Sequence, residues 1–340
     1  VNGVGFAARL LGWWEEHGRH ELPWQVERTA YRVWVSEVML QQTQVATVIP
    51  YFLRFVSRFP ALNDLADAEL DEVLALWSGL GYYARGRNLH KTAQLCRDQF
   101  DGQLPDDPDQ LESLPGIGRS TANAIVAQAF NRRAPILDGN AKRVVARHAG
   151  IAGWPGQTPV LRELWQAADQ RTPDDRAADY TQAIMDLGAL VCTRSKPACP
   201  DCPVAADCLA RLDDRIAELP GKKPRRERPM RETTLLMLEN HRGEILLQRR
   251  PPVGIWGGLW SLPEADSIEI PEELEELRAP ESLIHEFSHF RLAISFQRLR
   301  LHAPGARCVA DNAQTRWFTL DQALASSLPR PIRRALQNLK

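Results

Sequence analysis

The sequence predicts a multidomain protein in which an all-α half over residues 1–212 is followed by a basic linker over 213–231 and an α+β domain over 232–340. Three observations carry this prediction. Apolar residues recur at helical spacing through the first half, with no sustained strand alternation. Four of the six cysteines, Cys192, Cys199, Cys202 and Cys208, fall within seventeen residues at the end of that half. Beyond the linker the pattern changes to period two, as at Phe290, Leu292, Ile294 and Phe296. A chain of 340 residues is long enough for about two domains with cores of their own.

The first clear helix is predicted from Tyr31 to Val48, with apolar positions at Tyr31, Val35, Val38, Met39, Leu40, Val45 and Val48, and with Pro50 as its stop. Glu37, Gln41 and Gln44 would then share one polar strip. Further helices are expected over Tyr51–Phe59, Asp67–Trp77, Tyr83–Phe100, Ser120–Phe130, Asn140–Ala149, Pro159–Arg171 and Asp174–Val191. In the second half Thr233–Leu238 and Glu244–Gln248 read as two strands joined by a turn through Asn240 and Gly243, while Glu272–Arg278 and Leu320–Leu339 suggest helices.

Hydrophobic residues make up 44% and charged residues 25%, the composition of a soluble globular protein. The start of the chain has no basic segment before an apolar run, and no apolar stretch reaches 18 residues, so a cytoplasmic location is expected. The net charge of −1 excludes nucleic-acid binding by overall charge alone. Charge is nevertheless segregated. Lys222, Lys223, Arg225, Arg226, Arg228 and Arg231 stand against one acid, whereas seven acids lie between Glu264 and Glu276 without a base. A basic run of this kind is a solvated linker unless another feature brings nucleic acid to it.

Clustered cysteines without an export signal point to a metal centre rather than disulfides. Their spacing, C-x6-C-x2-C-x5-C, leaves zinc and an iron-sulfur cluster both open, although zinc sites commonly pair two C-x2-C units and only Cys199 and Cys202 form one. Cys96 and Cys308 are expected to be small core residues.

Leu114-Pro115-Gly116-Ile117-Gly118 precedes a helix, so its two glycines can turn tightly while the helix N-H groups face an anion. The same residues could form an ordinary turn between packed helices. Asp138, before Gly139 and Asn140, is either a helix N-cap or a carboxylate that stabilises positive charge on a reacting sugar.

Taken together, the hairpin and its following aspartate resemble those of helix-hairpin-helix DNA glycosylases, and the cysteine spacing resembles the cluster loop of their endonuclease III branch. Ser36-Glu37-Val38-Met39-Leu40-Gln41-Gln42-Thr43-Gln44 and Gly79-Leu80-Gly81-Tyr82-Tyr83-Ala84-Arg85 resemble the MutY-type adenine DNA glycosylases. The resemblance implies an enzyme that removes adenine mispaired with 8-oxoguanine or guanine in double-stranded DNA, and a 4Fe-4S cluster on Cys192, Cys199, Cys202 and Cys208. It also implies that Glu37 protonates adenine at N7 while Asp138 stabilises the oxocarbenium ion. Gln42 and Tyr82 would intrude at the mismatch, Trp24 and Gln182 would line the adenine pocket, Asn140 would support the site, and Gly116 and Gly118 would hold the DNA backbone.

Ser120 stands where endonuclease III has its lysine nucleophile. A hydroxyl cannot form a Schiff base with the opened sugar, so a monofunctional enzyme that leaves an abasic site is expected. Lys142 is the nearest lysine in sequence for any amine side reaction. The C-terminal domain resembles a Nudix-like domain, but Glu272, Leu277 and Ala279 replace the arginine, last glutamate and glycine of the Nudix box, which argues against phosphohydrolase activity. Phe287-Ser288-His289 matches the family's 8-oxoguanine-reading loop. A bifunctional pyrimidine glycosylase/lyase and a non-catalytic iron-sulfur DNA-binding protein are the alternatives, opposed by Ser120 and by the joint presence of Glu37 and Asp138. A monomer is expected.

Overall fold

The structure, a computed structural model, describes residues 3–224, 227–251, 254–268, 274–287, 289–301 and 314–339. The chain divides into two compact units, the first Val1–Ala68 with Arg87–Arg225 and the second Glu69–Gly86 with Arg226–Lys340.

The first unit is helical. Its elements are α1 (Gly3–His17), α2 (Pro23–Val26), α3 (Ala30–Leu40), α4 (Val45–Arg58) and α5 (Leu62–Asp67) before the excursion of the chain into the second unit, where α6 (Leu70–Trp77) lies. They continue with α7 (Ala84–Gln99), α8 (Pro108–Ser113), α9 (Arg119–Phe130), α10 (Gly139–His148), α11 (Thr158–Asp169), α12 (Ala177–Asp186), a π-turn at Leu187–Val191 and α13 (Leu209–Leu212). Phe6, Leu10 and Trp14 of α1 pack with Val144 and Val145 of α10, Leu164 of α11 and Tyr180 and Ile184 of α12 in one core. Each such apolar side chain contributes about 1.5–3 kcal/mol by leaving water.

The predicted helix over Tyr31–Val48 is two helices. Gln42 adopts a left-handed backbone (φ 59°) and Thr43 N-H turns back to the Leu40 carbonyl at 3.2 Å, which ends α3. Pro50 does not stop the chain but lies inside α4. Gln41 and Gln44 are therefore outside α3, as its C-cap and the N-cap of α4, and do not share a helical strip with Glu37.

The second unit is built on a sheet ordered β3-β2-β1-β6-β4, with β5 added to β6 and β7 to β2. Its strands are β1 (Met230–Glu239), β2 (Ile245–Arg249), β3 (Trp260–Ser261), β4 (Leu274–Leu277), β5 (Leu283–Glu286), β6 (Arg291–Leu301) and β7 (Thr315–Phe318). β1 and β6 are parallel and all the other pairings are antiparallel. Leu235 and Met237 face one core with Ile332 and Leu336 of α15 (Arg330–Gln337), and Leu236 and Leu238 face the other, so β1 reads as an apolar run because both its faces are covered.

Two expectations fail here. The segment predicted as a helix over Glu272–Arg278 is a strand where it is described, with Glu275 opposite Arg300 of β6, so cross-strand pairing overrides local helix propensity. Leu320–Leu339 is split into α14 (Leu320–Ala325) and α15 by Ser326–Pro329. Within this unit the 69–86 segment is tied down by Asp71 to Arg249, by Tyr83 Oη donating to the Leu328 carbonyl at 3.3 Å and by Arg333 Nη2 donating to Ser78 Oγ at 3.2 Å.

Candidate active site

α3 packs against α9, which brings Glu37 to Gln128: Gln128 Nε2 donates to Glu37 Oε1 at 3.2 Å. The Glu37 carboxyl is pushed up to about 7, first by burial and then by the charge of Asp138, while the Gln128 hydrogen bond acts in the opposite direction. Removal from water disfavours the charged form, so the carboxyl holds its proton near neutrality. This is the property that a general acid needs.

Asp138 is the N-cap of α10, and its Oδ1 accepts Ala141 N-H at 2.7 Å. Burial raises this carboxyl, and the backbone bonds and the Arg143 and Lys142 charges offset part of the rise. Capping occupies Oδ1, but a carboxylate has a second oxygen, so capping and a role facing a cation are compatible. Asn140 Oδ1 accepts from Arg143 Nη2 at 2.9 Å. Gly188 in the π-turn lies against it; a Cβ there would come within 2.6 Å of the Asn140 Cβ and 3.0 Å of its backbone.

The hairpin lies between α8 and α9. Leu114 and Ile117 are buried and anchor it, and Thr92 Oγ1 donates to the Pro115 carbonyl at 2.9 Å. Gly116 has φ +82°, and a side chain there would meet Asn88 at 2.8 Å. Gly118 caps α9 without a side-chain bond and has open space around its Cβ position. Both glycines are exposed at the N-terminus of α9, where the first helical N-H groups lack intrahelical partners. Ser120 Oγ accepts Leu137 N-H at 3.3 Å.

Trp24 and Gln182 are almost fully buried, at 3% and 2% exposure. Trp24 packs edge-to-face on Phe52 with centroids 5.4 Å apart. The Gln182 amide is engaged at both ends: Gln25 Nε2 donates to its Oε1 at 2.6 Å, and its Nε2 donates to Asp186 Oδ1 at 2.7 Å. Gln25 Nε2 also donates to Gln128 Oε1 at 2.8 Å. Sequence reasoning missed Gln25, Gln128, Asp186 and Arg19. The available signal was polar residues embedded in helices whose neighbours are apolar, as Gln128 is among Ile125, Val126 and Ala127.

Gln42 in the first unit and Tyr82 in the second each combine exposure with a left-handed backbone (φ 59° and 50°). For non-glycine residues this conformation costs free energy and concentrates at functional positions.

Residues 35–170 match the HhH-GPD superfamily base excision DNA repair proteins, and residues 234–338 match the NUDIX domain. The adenine DNA glycosylase of Buchnera aphidicola subsp. Acyrthosiphon pisum (strain APS) is 36% identical over 343 residues, covering 98% of this chain and 97% of that protein. The chain belongs to the adenine DNA glycosylase family. The human adenine DNA glycosylase is 34% identical over 89% of this chain and 70% of its own length. Among solved structures, a non-covalent endonuclease III–DNA complex is 25% identical with a TM-score of 0.52, covering 61% of this chain and 94% of that one. A thermostable thymine-DNA glycosylase shares the fold of the helical half, with a TM-score of 0.57 at 24% identity.

In this adenine DNA glycosylase family member the four cysteines, Cys192, Cys199, Cys202 and Cys208, line one small cavity together with Arg147. Among the described residues no group of three or more His, Cys, Asp or Glu side chains is arranged around a single-ion position. Four thiols lining a common cavity are a donor set of the kind that holds an iron-sulfur cluster. Arg147 Nη1 approaches Cys192 Sγ at 3.4 Å and Arg143 Nε donates to the Cys192 carbonyl at 2.7 Å, which places two guanidinium groups beside the first cysteine of the loop. A neighbouring cleft of about 520 Å³ is lined by Lys142, Arg143, Arg147, Arg194, Lys222 and Lys223, so the start of the basic run belongs to a cationic recess of the first unit.

In the second unit Phe287 stacks on Phe290 with centroids 4.5 Å apart, and His289 meets the same ring edge-on at 4.8 Å. Ser288, between them, lies outside the described residues. Glu264, at the start of the acidic run, is paired with Arg250 at 2.8 Å.

Proposed function

We propose that this protein is a monofunctional adenine DNA glycosylase of base excision repair. It flips adenine out of a duplex in which it is mispaired with 8-oxoguanine or guanine, hydrolyses the N-glycosidic bond and leaves an abasic site. The observation that carries the reading is the Glu37 carboxyl, poised at about 7 by burial and by Asp138.

Adenine departs readily only when protonated, and the sugar it leaves carries positive charge. Glu37 delivers its proton to N7, and Asp138 supports the oxocarbenium ion through the oxygen that capping does not use. Ser120 lacks an amine, so the chemistry stops at base release. Gln42 and Tyr82 fill the space vacated by the flipped nucleotide, and Trp24, Gln182 and Asn140 shape and support the pocket. Gly116 and Gly118 receive a phosphate at the N-terminus of α9. Phe287, Ser288 and His289 read the oxidised guanine.

Cys192, Cys199, Cys202 and Cys208 hold a 4Fe-4S cluster. When bound, it cross-links the loop and keeps the Arg194 and Lys222 side of the cationic cleft in place to meet phosphates. The protein acts as a monomer on double-stranded DNA.

The test is incubation with duplexes carrying A:8-oxoguanine, A:G, T:8-oxoguanine or thymine glycol, with and without alkali. Alkali-dependent cleavage at adenine is expected, and alkali-independent cutting at thymine glycol would overturn the reading. Replacing Ser288 by alanine is expected to lower the preference for A:8-oxoguanine over A:G; an unchanged ratio removes that residue from lesion reading.

A further inference from the structure

We propose that Gln128, Gln25, Gln182 and Asp186 form a polarised relay that places the transferable proton of Glu37 on Oε2 and sets the pH at which that proton is lost. The proposal rests on the reading of Glu37 as the acid and adds positioning residues to it.

Asp186 fixes the direction. It is completely buried and accepts from five donors: Trp14 Nε1 at 3.2 Å, Arg19 N and Nε at 2.8 Å each, Arg19 Nη2 at 2.6 Å and Gln182 Nε2 at 2.7 Å. A carboxyl group met by N-H donors on both of its oxygens can only accept along these bonds. Gln182 must therefore turn its NH2 group to Asp186 and its Oε1 to Gln25. Gln25 must then donate to Gln182 at 2.6 Å, and its other N-H reaches Gln128 Oε1 at 2.8 Å. That leaves Gln128 to present its own NH2 group to Glu37 Oε1 at 3.2 Å. Amide orientations are ambiguous one at a time, but here the acceptor at the far end determines all three, because one flip would set like groups face to face.

A relay with a carboxyl group at each end needs one amide that donates both ways. Gln25 is that amide, and its Oε1 is buried with no hydrogen-bond partner among the described residues. An orphaned buried acceptor is costly, so its presence marks a network whose polarity is imposed from outside Gln25.

At the near end, the carboxyl oxygen that accepts an N-H is the carbonyl oxygen of the neutral acid. The proton consequently resides on Oε2, the oxygen left to meet a base. Around Glu37, Asp138 from the start of α10 supplies the charge and Gln128 from α9 the neutral donor. Donation from Gln128 favours the ionised form, which counters burial and holds the acid within reach of neutral pH.

Single-turnover adenine release, followed against pH on an A:G duplex, tests this with the full-length chain. In Gln128→Leu the alkaline limb is expected to move upward by roughly one pH unit as the rate plateau falls. In Gln25→Leu, which breaks the relay one residue further from Glu37, the limb is expected to move in the same direction by less. A rate lowered equally at all pH values with an unmoved limb in both variants overturns the relay. If Gln128→Leu does not fold, Gln25→Leu decides alone, and an unmoved limb there overturns the proposal. Failure of the underlying reading is distinguishable, because Glu37→Gln would then retain near-normal base release.

Discussion

Ser120 Oγ accepts the backbone N-H of Leu137 at 3.3 Å, so the first turn of α9 holds the residue immediately before Asp138. The Ser120 hydroxyl is thus a bracket between the hairpin and the segment that carries Asp138. Ser120→Ala is expected to lower stability by about 1 kcal/mol, visible as a drop of a few degrees in Tm. The product should remain an alkali-labile abasic site, and uncleaved strands on a denaturing gel without alkali check this.

Glu37 has a folded-state value of about 7 against an ordinary 4.5, so the native state binds its proton more tightly than the unfolded chain does. Its contribution to stability is present below about 4.5 and lost as pH rises through about 7. Glu37→Gln, permanently neutral, should therefore be more stable than the parent at pH 8, by roughly 3 kcal/mol, with the two converging in acid. The same variant should bind mismatched duplex and release almost no base. Denaturant melts at two pH values and single-turnover assays check the two halves separately.

Asp138→Asn separates capping from chemistry, because asparagine caps a helix as well as aspartate does. The helix bond from Ala141 N is retained while the negative charge is lost. Tm is expected to change by no more than a few degrees and base release to disappear. An effect confined to Tm would leave Asp138 with the capping role alone.

Cys199→Ser should abolish visible absorption and bound iron and sulfide, whereas Cys96→Ala should leave all three intact. Cys96 is fully buried in the helical core, and its thiol is pushed up to about 11 by burial. Metal analysis of the purified chains checks the contrast.

Arg194 and Lys223 line the cationic cleft, and Lys223 Nζ lies over the Trp154 ring at 5.6 Å. Replacing either by alanine should weaken binding to matched and mismatched duplexes alike. The salt dependence of log affinity should fall by about 0.9 per phosphate contact removed. Titrations at several salt concentrations provide the measurement.

Much of this organisation is legible in the sequence because it is local. The boundaries of α9 and α10 follow from Gly118 and Asp138 as caps, and the period-two run after Phe290 predicts β6. What escapes is set by partners distant in sequence. Glu275 and Glu276 look helical until Arg300 lies opposite, and Gln41 and Gln44 look like a strip until Gln42 turns the chain. The amide relay escapes for the same reason: Gln25 and Gln128 are 103 positions apart, and no spacing rule joins two isolated glutamines. The 69–86 segment likewise carries a motif of the helical half, yet it is grouped with the C-terminal unit through Asp71, Ser78 and Tyr83.

Gly188 leaves no room for a methyl group against Asn140, and the cysteine loop starts only four residues later at Cys192. The stem of the loop and the first turn of the Asp138 helix are thus packed together without slack. Disturbance of the loop is expected to reach Asp138, the carboxylate proposed to face the sugar, sooner than the proposed acid Glu37, which is held from α9 by Gln128. Loss of one of the cysteines proposed to hold the cluster would accordingly appear as failure to stabilise the cation, with the protonation step left intact.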